Sequence, residues 1–142
     1  MTPRNQTCTA SGTPIIVNPF HLHDPTPDGY STAVIAPSAR LAFISGQGGH
    51  DRTGAFSQDF TTQVEQAYAN LAAVIDALGA RLDQVVKLTV FVVDHDMSKL
   101  GVLTENVTRM FGAKLPAQTL VPVPKLAVDG MLFEVEALVL LD

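Results

Sequence analysis

The stretch that most limits what this chain can fold into is Leu115 to Leu141, LPAQTLVPVPKLAVDGMLFEVEALVLL. Its apolar and β-branched content predicts two strands, Ala117 to Val123 and Met131 to Leu140, joined by a turn at Asp129-Gly130. Two acids, Glu134 and Glu136, stand inside the second strand among Phe133, Val135, Leu138 and Leu140. A carboxylate in such a run must find partners, stay protonated or face water, because burying it bare is very costly. Function is to be sought where local chemistry and local hydrophobicity conflict in this way.

Upstream, Ile15 to Val17 is β-prone and ends at Asn18-Pro19. A proline-rich loop follows with His21 and His23, whose alternation would allow a metal pair on a strand. Pro19, Pro25 and Pro27 argue instead for an irregular loop with solvated histidines, and no third ligand has a convincing spacing. Tyr30 to Ala36 and Leu41 to Ser45 read as a hairpin turning at Pro37-Ser38-Ala39. The second strand runs into Gly46-Gln47-Gly48-Gly49, which lacks the Lys-Ser/Thr of a phosphate loop and predicts tight turning or close approach to a ligand.

Ser57 to Leu78 is the clearest helix, with Phe56 just before it and Phe60, Val64, Ala67, Leu71, Val74 or Ile75, and Leu78 on one apolar stripe. Ser57 is the expected N-cap and Gly79 the stop, while Gln63, Gln66 and Asn70 populate the other faces. Gln84 to Val93 is a strand with Val86, Leu88, Val90 and Val92 on one face, and Val85, Lys87, Thr89, Phe91 and Val93 on the other. Asp94-His95-Asp96 reads as a strand-to-helix turn rather than an acid-base or metal cluster, with Asp96 capping a second helix, Met97 to Phe111, ended by Gly112.

Five or six strands and two helices make an α+β sheet with both helices on one face. Nothing else in the chain is left to cover the other face. With 46% hydrophobic and only 16% charged residues, association with further copies of the chain is expected. The formal charge is -5 and the nine Lys and Arg are scattered, so nucleic-acid binding is not expected. No apolar run approaches the roughly 20 residues that span a bilayer. Residues 1–14 read as a flexible tail without a secretory h-region, and 15–142 as a single domain; the lone Cys8 suits a reducing cytosol.

On the stretches YSTAV from Tyr30, LAFISGQ ending at Gln47, the segment from Gln66 to Asp94, and LPAQTLVPVPKLAVDGMLFEVEALV, the sequence resembles the Rid (YjgF) family of reactive-intermediate deaminases, also labelled L-PSP endoribonucleases. The resemblance runs from about Ile15 to the C-terminus. It implies a chorismate-mutase-like fold, a homotrimer with a central barrel of sheets, and small-molecule clefts between subunits. It also implies hydrolysis of enamines and imines to 2-oxo acids and ammonia, with neither cofactor nor metal.

By the same resemblance Glu134 handles the attacking water, while Tyr30, Ser45, Gly46 and Gln47 line the cleft. The family arginine that grips the substrate carboxylate is replaced by Gln118. A frequent asparagine becomes Thr104 and a frequent cysteine Leu120. Loss of a charge partner in a desolvated pair costs about 2–5 kcal/mol, so a shifted substrate preference is expected. The alternative is a non-catalytic metabolite-binding protein on the same scaffold. Glu136 is expected to be structural, and Lys87 is an alternative partner for Glu134.

Overall fold

The structure is a computed structural model that describes residues 15–28, 31–36 and 40–142. The expected tail, Tyr30 and the turn at Pro37-Ser38-Ala39 lie outside the described residues. Six strands form one mixed sheet: β1 (Ile15–Val17), β2 (Ala33–Ala36), β3 (Leu41–Gln47), β4 (Val85–Val93), β5 (Ala117–Val123) and β6 (Phe133–Leu140), in the spatial order β1-β2-β3-β6-β4-β5. All pairings are antiparallel except β4 with β5. Helix α1 spans Phe60–Ala77 and α2 spans Leu100–Phe111.

The two terminal strands, although joined through the turn at Gly130, are not neighbours. Helix α2 is the crossover that a parallel strand pair requires, and it sets β5 on the outer edge of β4. Strand β6 then inserts between β3 and β4, becoming the centre of the sheet. The core follows from strand parity. Phe133, Val135, Ala137 and Val139 of β6 join Leu88, Val90 and Val92 of β4 under Val64, Ala67, Leu71, Val74 and Ile75 of α1 and Leu103 and Phe111 of α2.

Several local expectations are corrected. Helix α1 starts later than expected, and its N-cap is Asp59 rather than Ser57. The Asp59 carboxylate accepts from Thr62 N at 2.9 Å, whereas the Ser57 hydroxyl accepts from Asp59 N at 3.1 Å in the preceding turn. In β4 a bulge at Val86 puts two residues opposite one on β6, so Val85 joins the core and Val86 faces outward, reversing their expected faces. Met97 is 81% exposed in a 3₁₀ turn, Met97–Lys99, that precedes α2 and is capped by Asp96. Gly79 and Gly112 end their helices with positive φ, as expected.

The opposite face of the sheet carries Ile16, Phe43, Leu138, Leu140, Phe91 and both acids of β6. Phe43 is 47% exposed and Leu140 49%. Among the described residues no element packs across this face. No helix among them is long and apolar enough to cross a membrane.

Candidate active-site cleft

Glu134 begins the outward parity of β6 and projects beside Phe91 of β4, away from the helices. At this point β3 is irregular: the register with β6 shifts between Ile44 and Gln47, and Gly46 lies against the carboxyl. The acid is half-buried. Burial, and secondarily the negative charge of Glu136 two residues along the same face, raise its pKa above the ordinary glutamate value of 4.5. Among the described residues none hydrogen-bonds its carboxyl. Lys87 is not its partner: its ammonium donates to Thr119 Oγ1 at 2.7 Å, and its backbone pairs opposite Leu138.

The glycines that follow are needed for close approach between parts of the protein. A Cβ on Gly46 would stand 2.0 Å from Glu134 Oε1, and one on Gly49 would stand 2.7 Å from both the α-carbon and the carbonyl oxygen of Gln63 on α1. Neither has the positive φ of a tight turn. Gly46 and Gln47, expected in a loop, are the end of β3 itself.

Side-chain hydrogen bonds hold this segment in place. Ser45 Oγ donates to Ser31 O, and Gln47 Nε2 donates to Ser45 O at 3.0 Å. From α1, Asn70 Nδ2 donates to the carbonyls of Gly48 at 3.0 Å and His50 at 2.8 Å, while Gln66 Nε2 steadies Asn70 Oδ1 at 2.9 Å. Gln63 is fully buried: its Nε2 donates to Ser57 O at 2.7 Å and Gly130 O at 2.9 Å, and its Oε1 accepts from Leu132 N at 2.9 Å. The expected solvent face of α1 therefore ties β3, the helix and the approach to β6 into one unit.

Beside this unit lies a cleft of about 890 Å³, within the range of about 300–1,000 Å³ usual for small-molecule sites. It gathers Ser45, Gly46, Gln47, Glu134 and Glu136. His21 and His23 also face it, and the His23 ring stacks on His50 with centroids 6.4 Å apart. The histidine loop is thus a wall of the cleft, which the sequence reading did not anticipate. Among the described residues no group of three or more metal-ligating side chains is gathered.

Sequence reasoning also missed Thr32, His50, Asp51, Arg52, Asn70 and Met131, which line the cleft as well. The signal available was position, since His50-Asp51-Arg52 directly follows the glycine run. Thr104, Gln118 and Leu120 lie elsewhere. Gln118 and Leu120 pair with Leu88 and Val90, which places them on the helix side of the sheet, and Leu120 packs against the core there. Thr104 is exposed on α2. Asp94-His95-Asp96 forms the turn into α2, with Lys99 Nζ donating to the carbonyls of Val93 and Asp94.

The family model described as Endoribonuclease L-PSP matches residues 22–141. A RutC family protein of Pyrococcus horikoshii is 35% identical over 122 residues, covering 84% of this chain and 93% of that protein. A 2-iminobutanoate/2-iminopropanoate deaminase of Salmonella typhimurium is 33% identical over 88 residues, 61% of this chain and 68% of the deaminase. Among solved structures, RidA from the Antarctic bacterium Psychrobacter superposes with a TM-score of 0.79 at 29% identity, covering 89% of this chain and 99% of that one.

Proposed function

This chain belongs to the endoribonuclease L-PSP family, also called the Rid or YjgF family, and from that premise we propose that it is a hydrolytic deaminase of a small enamine or imine. The observation that carries this reading is Glu134: a half-buried acid with a raised pKa, set against Gly46 and open to a cleft of small-molecule size. Burial favours the protonated form of this carboxyl, and a carboxyl beside the reacting atoms can give a proton to an imine and take one from water.

The protonated carboxyl of Glu134 gives its proton to the imine nitrogen, making the C=N carbon more electrophilic. Water attacks that carbon while the resulting carboxylate takes the water's proton, forming a carbinolamine. The carboxyl then returns the proton to the amine nitrogen, the C–N bond breaks and ammonia leaves. The carboxylate takes the remaining hydroxyl proton, which gives the carbonyl product and restores the acid. No metal or cofactor enters this scheme.

The homotrimer belongs to the same proposal. Gln118 and Glu134 are on opposite faces of one sheet, with β4 between their strands, so Gln118 of the same chain has no route to the acid. A second copy could bring its Gln118, Leu120 and Thr104 to the cleft, and the apolar outward face is available for that association. In such an assembly Gln118 offers neutral donors where a charge-assisted grip would be about twice as strong, which shifts preference away from simple 2-imino monocarboxylates.

The test is ammonia release from freshly generated 2-iminobutanoate by the natural protein, Gln118→Arg and Glu134→Gln. Expected are weak activity in the natural protein, a gain in Gln118→Arg and none in Glu134→Gln. Silence from the first two across a range of imines would leave a metabolite-binding protein as the reading.

A further inference from the structure

The segment Gly46–Gly54 runs along the cleft past chemically different groups. Glu134 lies at Gly46. His50 lies near Gly48, where a Cβ would stand 3.0 Å from its Nδ1, and His23 lies near Gly54, where a Cβ would stand 3.6 Å from its ring. Arg52, two residues after His50, lines the same cleft.

Arg52 is carried on a firmly built turn. Asp51 Oδ1 accepts from Thr53 N at 2.9 Å, Thr53 Oγ1 at 2.6 Å and Ala55 N at 3.1 Å, and Asp51 N donates to Ala55 O at 2.8 Å. The carboxylate nearest in sequence is thereby committed to the turn. Among the described residues none forms an ion pair with Arg52. An arginine fork is suited to bidentate capture of a carboxylate.

We propose that Arg52 is a specificity-determining residue that binds a second carboxylate of the substrate, several bonds from the C=N carbon that Glu134 serves. This rests on the deaminase reading and narrows it to imines with an acidic tail, whose hydrolysis yields 2-oxo dicarboxylates. Arg52 and Glu134 line one cleft, so a single molecule can meet both. The supplying reaction is then one that releases the enamine or imine of an acidic amino acid or a homologue of one.

The test uses the whole protein and two unreactive product analogues, 2-oxobutanoate and 2-oxoglutarate, titrated by calorimetry. The natural protein is expected to bind the dicarboxylate at least about tenfold more tightly, and Arg52→Gln to lose that preference while holding 2-oxobutanoate as before; Arg52→Lys should restore part of it. Equal binding of both analogues by the natural protein, or an undiminished preference in Arg52→Gln of unchanged melting temperature, would overturn the assignment. Ammonia release is followed separately. Activity on 2-iminobutanoate without Arg52-dependent selectivity sinks this inference and spares the deaminase. Arg52-dependent selectivity without ammonia from any imine does the reverse.

Discussion

The carboxyl of Glu134 rests against the bare α-carbon of Gly46, so closely that a Cβ there would stand 2.0 Å from Oε1 and 2.7 Å from Cγ. The two residues sit on adjacent strands, and the bulge in β3 is what brings them together. Gly46→Ala must therefore displace the whole side chain of Glu134 beyond Cβ. Because a glutamate can swing into the cleft, the folding cost should be modest, about 1–2 kcal/mol. Ammonia release should fall at least tenfold, since the displaced acid no longer faces the imine. A variant with normal thermal stability and undiminished rate would show that the position of Glu134 is not set by this contact.

Glu134 also makes a stability prediction of definite sign. Its folded-state pKa is raised, first by burial and then by Glu136, so between the ordinary value of 4.5 and the folded pKa the folded protein holds a proton that the unfolded chain has lost. Stability attributable to this group is full below that pH and is lost as pH rises through the folded pKa. Glu134→Gln cannot ionise. Its melting temperature relative to the natural protein should therefore rise between pH 4 and pH 8. A difference that stays flat with pH would mean that the acid is not held in a desolvated site.

Much of this arrangement was legible because strand parity and helix period are strong signals. β5 has the bounds read from the sequence, and the α1 stripe is buried as its spacing requires. What escaped depends on long-range pairing. The order of β5 and β6 is set by the α2 crossover, and the exposure of Val86 by a bulge against β6; neither leaves a local trace. In the site, the Glu134 conflict was visible within one strand. Its partner Gly46 was visible only as a glycine in a run, and His23 and His50 meet through folding alone.

Gln63 is the polar residue whose role changes most on folding. It is 1% exposed, and it satisfies two carbonyls and one N–H of segments far apart in sequence. Gln63→Leu keeps much of the volume but strands those groups, at about 1–3 kcal/mol for each that water cannot reach. We expect a clear drop in melting temperature and faster amide exchange at Leu132, at the entry to β6. Unchanged exchange at Leu132 would argue that the Gln63 bond there carries little weight.

Tyr68 offers the opposite case. Its ring stacks on Phe133 with centroids 5.7 Å apart, but its hydroxyl is buried without a hydrogen-bond partner among the described residues, and burial pushes its pKa upward. Tyr68→Phe keeps the ring and removes the hydroxyl, whose desolvation costs about 1–3 kcal/mol when unsatisfied. The variant should be at least as stable as the natural protein in denaturant titration. A loss of more than about 1 kcal/mol would reveal a partner for that hydroxyl beyond the described residues.

The outward face of the sheet yields the last prediction, and it separates assembly from chemistry. Phe43 and Leu138 are paired across β3 and β6 on this face, and Leu140 lies one step beyond. Exposed apolar side chains aligned on a central strand pair favour burial against another copy, worth roughly 25 cal/mol for each Å² removed from water. A charge at Phe43 would have to be desolvated in that contact, while in an isolated chain it would simply meet solvent. Phe43→Glu should therefore yield a folded protein of lower mass by light scattering. Its ammonia release should be lost if Gln118, Leu120 and Thr104 reach the cleft only from a second copy. A mass equal to that of the natural protein would place any subunit contact elsewhere. A fully active monomer would show that the cleft built around Glu134 within one chain is complete.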